Sequence, residues 1–186
     1  MLIIILILLV IPLFIGLIIY NSLIAKKNQV ANVFGTLDAL LKKRYDLIPN
    51  LVAAVKGYAE HEKGVLTEIT ELRSRAVSGQ AKGDEAAAQD NKMTQLLGKI
   101  MITVENYPDL KANENFLKLQ GSLNEIEEQI SAGRRAYNAA VTEFNNAVEM
   151  FPTSIVASLF GHKQKRLFEI NQTERENPNI KNVMKG

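Results

Sequence analysis

Residues 2–19 read LIIILILLVIPLFIGLII, and this stretch decides how the rest of the chain is built. Of its eighteen residues only Pro12 and Gly16 are not Leu, Ile, Val or Phe, and the first charged side chain is Lys26. As an α-helix it would cover about 27 Å, close to the roughly 30 Å of bilayer hydrocarbon. The spacing predicts a transmembrane anchor over residues 1–24, running from Leu2 past Ile19. Tyr20 then falls at the interface as an aromatic anchor, with Lys26 and Lys27 as headgroup partners. Pro12 and Gly16 are tolerated in lipid. A cleaved signal peptide is the rival reading, but it needs a basic leader, a shorter apolar core and a small-x-small cleavage site. Nothing basic precedes this run, and Tyr20-Asn21-Ser22-Leu23-Ile24-Ala25 makes a poor cleavage site.

Basic residues set the expected orientation. The amino-terminal side of the span has no Lys or Arg, whereas Lys26, Lys27, Lys42, Lys43 and Arg44 follow it. The positive-inside rule therefore puts the body of the protein in the cytoplasm and the amino terminus outside.

Beyond the anchor lie about 160 residues, enough for a domain with a real core. The chain carries 22 Lys and Arg against 20 Asp and Glu, a net +2. So even a balance lacks the dense basic face of a nucleic-acid binder, and no nucleic-acid partner is expected. There is no Cys, which removes disulfides, thiolate zinc sites and cysteine nucleophiles together. With only His61 and His162, imidazole-rich metal chemistry is also disfavoured.

Apolar residues then recur at helical steps. Val30, Val33, Phe34, Leu37, Leu40 and Leu41 form one stripe, with nothing to break the helix between membrane and stripe. At Asp46-Leu47-Ile48-Pro49 two readings are open. Asp46 can cap a new helix with Pro49 in its first turn, or one long helix can pass through Pro49. The stripe resumes either way through Leu51, Val55, Leu66, Ile69 and Leu72, in a segment ending near Ser78. A polar loop over 79–84 precedes a third helix, from about Glu85 to Asn106, that Tyr107-Pro108 ends. The longest regular segment runs from about Glu114 to Met150. There Phe116, Leu119, Leu123, Ile126, Ile130, Gly133, Tyr137, Ala140, Phe144, Ala147 and Phe151 keep the seven-residue repeat of a coiled coil. Pro152 stops it. Thr153 to Phe160 reads as a short amphipathic piece with Ile155, Val156, Leu159 and Phe160 on one side, facing lipid, a neighbour or the end of its own bundle. The tail over 162–186 has six basic against three acidic residues and reads as polar and loosely ordered. The expected fold is thus all-α: a transmembrane helix running into a long antiparallel helical bundle over 25–161, a short amphipathic segment and a basic tail.

Catalytic signatures are missing. The string His61-Glu62-Lys63-Gly64-Val65 has Val65 where a helical zinc protease has its second His. No Glu is followed by His three residues later, so the di-metal pattern of helical bundles fails as well. No enzyme, metal or cofactor is expected. Two polar clusters stand out instead: Arg44, Tyr45, Asp46, Asn50, Tyr58, His61 and Glu62, and then Arg134, Arg135, Tyr137, Asn138 and Asn145. Arg, Tyr and Asn together suit an interface. They also suit pairing across the bundle that fixes register, with Arg134 or Arg135 meeting Asp38, Asp46 or Glu62.

Two long signatures carry a resemblance. Leu40-Leu41-Lys42-Lys43-Arg44-Tyr45-Asp46-Leu47-Ile48-Pro49-Asn50-Leu51-Val52, with Val55-Lys56-Gly57-Tyr58-Ala59 behind it, resembles the LemA family. So does Ala132-Gly133-Arg134-Arg135-Ala136-Tyr137-Asn138, followed by Phe144-Asn145, Phe151-Pro152 and Leu159-Phe160-Gly161. Phe34 stands where that family's pattern usually has Trp. The resemblance implies a prokaryotic inner-membrane protein, an antiparallel bundle on one transmembrane helix, and no established enzymatic activity. It also implies a link to magnetosome-membrane organisation, or to quality control beside HtpX-type membrane zinc proteases. From the residues, the expected function is a membrane-anchored scaffold that self-associates on lipid as a homo-oligomer. A closed ring is the ordinary outcome of head-to-tail contacts that close. The alternative is an adaptor or regulator of a membrane protease.

Overall fold

The first helix, α1 (Leu2–Lys56), is 55 residues long, about 80 Å of unbroken helix. The computed structural model describes residues 2–58, 62–78 and 84–168. After α1 come α2 (Lys63–Val77), α3 (Asp84–Val104), the single turn α4 (Pro108–Lys111), α5 (Glu114–Glu149) and α6 (Thr153–Leu159). Among the described residues there is no strand.

The two ends of α1 live in different surroundings. Leu6, Ile7, Leu9, Val10, Ile11, Leu13, Phe14, Ile15, Leu17 and Ile18 are all exposed. An exposed apolar surface of that extent makes this segment a candidate membrane anchor. Among the described residues, α1 is the one helix long and apolar enough to cross a membrane. Past Tyr20 the pattern changes: Leu23, Val30, Leu37, Leu41, Arg44, Ile48, Leu51 and Val55 are buried. Their steps of seven, four and three make one seam along the helix.

That seam explains what happens at Pro49. The helix passes through it to Lys56, and the N-cap open to Asp46 is not used. Asp46 instead accepts from Lys42 Nζ at 2.8 Å, one turn back. A proline inside a helix costs about 3 kcal/mol. Ile48, Leu51 and Val55, all fully buried, each return roughly 1.5–3 kcal/mol by staying on the seam. The break comes later, after Lys56, so the segment read from the sequence as running from Ile48 to Ser78 is two helices. Gly57 and Tyr58 form a turn there, with the Tyr58 N–H donating to the Val55 carbonyl.

The chain divides into two compact units. The first holds residues 1–47 and 118–167. In it α1 and α5 pack antiparallel: Lys26 meets Glu143, Phe34 meets Tyr137, Leu37 meets Gly133, and Arg44 meets Glu127. Numbers rise on one helix as they fall on the other. Val30, Ala140, Val141 and Phe144 form a core cluster between them. At Gly133 the helices pack tightly, because a Cβ there would lie 3.1 Å from Leu37 Cδ1. The buried face of α5 is not the repeat read from the sequence throughout. Leu123, Ile130, Ala140 and Phe144 keep to it, Arg134 and Val141 join it, and Phe151 lies exposed beyond the helix end.

The second unit holds the described residues between 48 and 117, and Phe168. Here α2 packs on α3, burying Leu66, Ile69 and Leu72 on one helix and Met93, Leu96, Leu97, Ile100 and Val104 on the other. Lys92 and Glu68 pair between them at 2.6 Å. Pro108 begins α4 at a position where no donor is lost. Asn113 then caps α5, its Oδ1 accepting from the N–H groups of Asn115 at 3.0 Å and Phe116 at 3.1 Å.

Candidate functional site: a buried arginine pair and the membrane-proximal face

Among the described residues of the first polar cluster, Arg44 is fully buried. The α1 seam carries it inward, where an apolar residue would otherwise stand. Its Nη1 donates to Glu127 Oε2 of α5 at 2.6 Å. Burial pulls the guanidinium below its usual range, and the facing Glu127 carboxylate opposes that pull. Tyr45, also buried, has its phenol pushed up by desolvation, while the adjacent Arg44 acts in the other direction. Arg134 lies close enough to act on both groups electrostatically. The arrangement is a charged clamp between two helices, with chemistry suited to fixing register.

The other cluster residues are dispersed. Asp46 is exposed on Lys42, and Asn50 is exposed. Tyr58 belongs to the second unit, where its hydroxyl accepts from Asn113 Nδ2 at 3.3 Å. Glu62 directly precedes α2 without a side-chain capping bond, and His61 lies outside the described residues. Arg135 is exposed and donates to Ser131 Oγ at 2.9 Å. Tyr137 packs its ring 5.7 Å from that of Phe34, and the Asn138 carbonyl accepts from Thr142 Oγ1 at 2.8 Å. Asn145 holds the chain after α6: its Nδ2 donates to the Lys165 carbonyl and its Oδ1 accepts from the Lys165 N–H, both at 2.8 Å. Glu127 belongs to no cluster picked out in the sequence. Its signal, a Glu on α5 at the height of Arg44 once the helices run antiparallel, exists only after the pairing is known.

The second constellation lies where the apolar part of α1 ends. Tyr20 is half-buried, its ring 4.5 Å from that of Phe160 at a 47° tilt. Lys26 pairs with Glu143 at 3.4 Å, and Lys27 is exposed. Ser22, Lys26, Glu143, Met150 and Phe151 line an open cleft of about 320 Å³ there. α6 turns Ala157 inward, fully buried, and leaves Ile155 61%, Leu159 78% and Phe160 55% exposed; Val156 is half-buried. The helix closes on Gly161, whose φ of +67° is left-handed. The His162 N–H then reaches the Ala157 carbonyl at 2.9 Å and the Gly161 N–H the Ser158 carbonyl at 3.1 Å. Lys163, Lys165 and Arg166 follow, all exposed. Among the described residues no group of three His, Cys, Asp or Glu could hold a metal ion.

Fold and site together define an all-α protein with one candidate membrane helix, in which the buried Arg44 clamps two helices. The chain belongs to the LemA family, whose sequence pattern matches residues 33–181. It is similar to Protein LemA of Metamycoplasma hominis, 26% identical over 155 residues, covering 83% of this chain and 71% of the relative. It is also similar to magnetosome protein MamQ 2 of Paramagnetospirillum magneticum, 22% identical over 175 residues. Magnetosome protein MamQ of Magnetospirillum gryphiswaldense is 22% identical over 174 residues. The alignments cover 81% and 80% of this chain, which spans only 64% of the length of each MamQ relative. Family membership confirms the resemblance drawn from residues 40–52 and 132–138.

Proposed function

We propose that this protein is a non-enzymatic scaffold that self-associates in the inner membrane and organises a membrane patch, with its bundle in the cytoplasm. The observation that carries this reading is the continuity of α1 from its lipid-facing residues into the seam with α5. A helix without a joint holds every copy's α1–α5 pair at one height above one bilayer. Confinement to a plane in a common orientation raises the effective concentration, so modest side-to-side contacts suffice for assembly. Large apolar residues outside the lipid-facing segment are available for such contacts, among them Val77, Ile102 and Leu117. The magnetosome names of the MamQ relatives agree with a role in organising membrane.

The test is the mass of the full chain purified in mild detergent, by light scattering, with negative-stain images of the same fraction. A discrete particle of several chains is expected. A single 20.7-kDa chain in its micelle would contradict the scaffold and favour docking onto another membrane protein, such as a protease.

A further inference from the structure

We propose that α6 and the end of α5 form a second membrane contact, a foot whose apolar face inserts at the headgroup boundary of the same bilayer that α1 crosses. The inference rests on α1 being the anchor and goes beyond self-association, because its occupant is lipid. Three observations point there. Phe151 at 81%, Ile155 and Leu159 stand exposed on one short stretch, more apolar surface than a seven-residue helix in water has reason to show. The patch is continuous with the exposed apolar part of α1, because Phe160 packs its ring against Tyr20 at the point where that run ends. Exposed Lys27 follows Lys26, which pairs with Glu143, and Asn145, two residues further along α5, holds exposed Lys165, next to exposed Arg166 and two residues after exposed Lys163; these are charges of the sign that anionic headgroups recognise.

The fold holds the foot at that height. Ala157 is buried beneath it, Gly161 turns the chain back, and Asn145 grips Lys165 from α5. With α1 fixed across the bilayer and α6 lying on its surface, the α1–α5 pair has two points of support. Side chains of Ile155 and Leu159, one helical turn apart, then enter the acyl boundary together.

The chain has no Trp, so a single introduced Trp reports its own depth. Leu159→Trp, Phe14→Trp and Ala136→Trp would each be placed as full-length chains, with circular dichroism matching the parent, in nanodiscs of phosphatidylcholine and phosphatidylglycerol brominated at shallow or deep acyl positions. Phe14 is on the spanning part of α1, and Ala136, exposed beside Tyr137, sits at the height of Phe34, about 20 Å along α1 from Tyr20. We expect Leu159→Trp to lose at least half its fluorescence to shallow bromines and less to deep ones, with Ala136→Trp unaffected. Quenching of Phe14→Trp without quenching of Leu159→Trp would overturn the foot while leaving the anchor intact. A Leu159→Trp signal that changes only when discs hold more than one copy would overturn it in favour of a second chain on this face. No quenching at Phe14→Trp would remove the anchor reading and the foot with it.

Discussion

Arg44 shows what one residue does in this fold. Its seam position puts a charge where the pattern calls for an apolar side chain, and Glu127 supplies the compensating carboxylate. Removing one partner of such a pair leaves a buried charge poorly compensated. Glu127 is partly exposed, so we expect Glu127→Gln to cost about 2–3 kcal/mol in urea unfolding followed by circular dichroism. Lys42→Ala, which breaks only the exposed pair with Asp46, is expected to cost less than about 0.5 kcal/mol. Equal losses for the two would contradict the clamp. Tyr45 gives a pH signature. Its folded phenol titrates above the ordinary value of 10.0, so between the two values the folded state keeps a proton that the unfolded state releases. Its contribution is therefore fully present below about pH 10 and is lost as pH rises through the folded value. Tyr45→Phe is expected to flatten the alkaline fall in stability, measured as midpoint against pH; an unchanged slope would contradict it. The Arg44-Tyr45 pair stood out in the sequence, and Arg134 with it. Glu127 did not, because Glu125, Glu127 and Glu128 look alike until the rotation of α5 is known.

At the scale of elements, α1 is one helix with two kinds of surface, an exposed apolar run and a buried seam. The candidate membrane segment was legible from composition alone, since residues 2–19 are almost wholly Leu, Ile, Val and Phe. So were α3, α5 and α6, whose ends fall within about two residues of those expected at Asn106, Met150 and Phe160. Passage through Pro49 was not decidable, because it depends on how much apolar surface the last turns of α1 bury. The turn after Lys56 was missed because the apolar spacing continues across it, and Gly57 was too weak a signal against that stripe. The grip of Asn145 on Lys165 was likewise invisible: it joins residues twenty apart across a left-handed glycine. We expect Asn145→Ala to lose two hydrogen bonds, about 1 kcal/mol each, and to speed tryptic cleavage at Lys163, Lys165 and Arg166 several-fold. Cleavage at the parent rate would show that the segment is held by something else.

For the whole molecule, the balance of basic residues about the span predicts the soluble part inside the cell. With no native Cys, Ser78→Cys is a unique label site, exposed at the end of α2. We expect it to resist an impermeant maleimide in intact cells and to react after lysis; labelling in intact cells would reverse the orientation. Self-association is the central claim. It is tested most directly by counting photobleaching steps of a dye on Ser78→Cys in discs cut from the native membrane at low expression. A step distribution peaked at one fixed number above one is the expected result. Single steps, at every expression level and in undisturbed lipid, would contradict it.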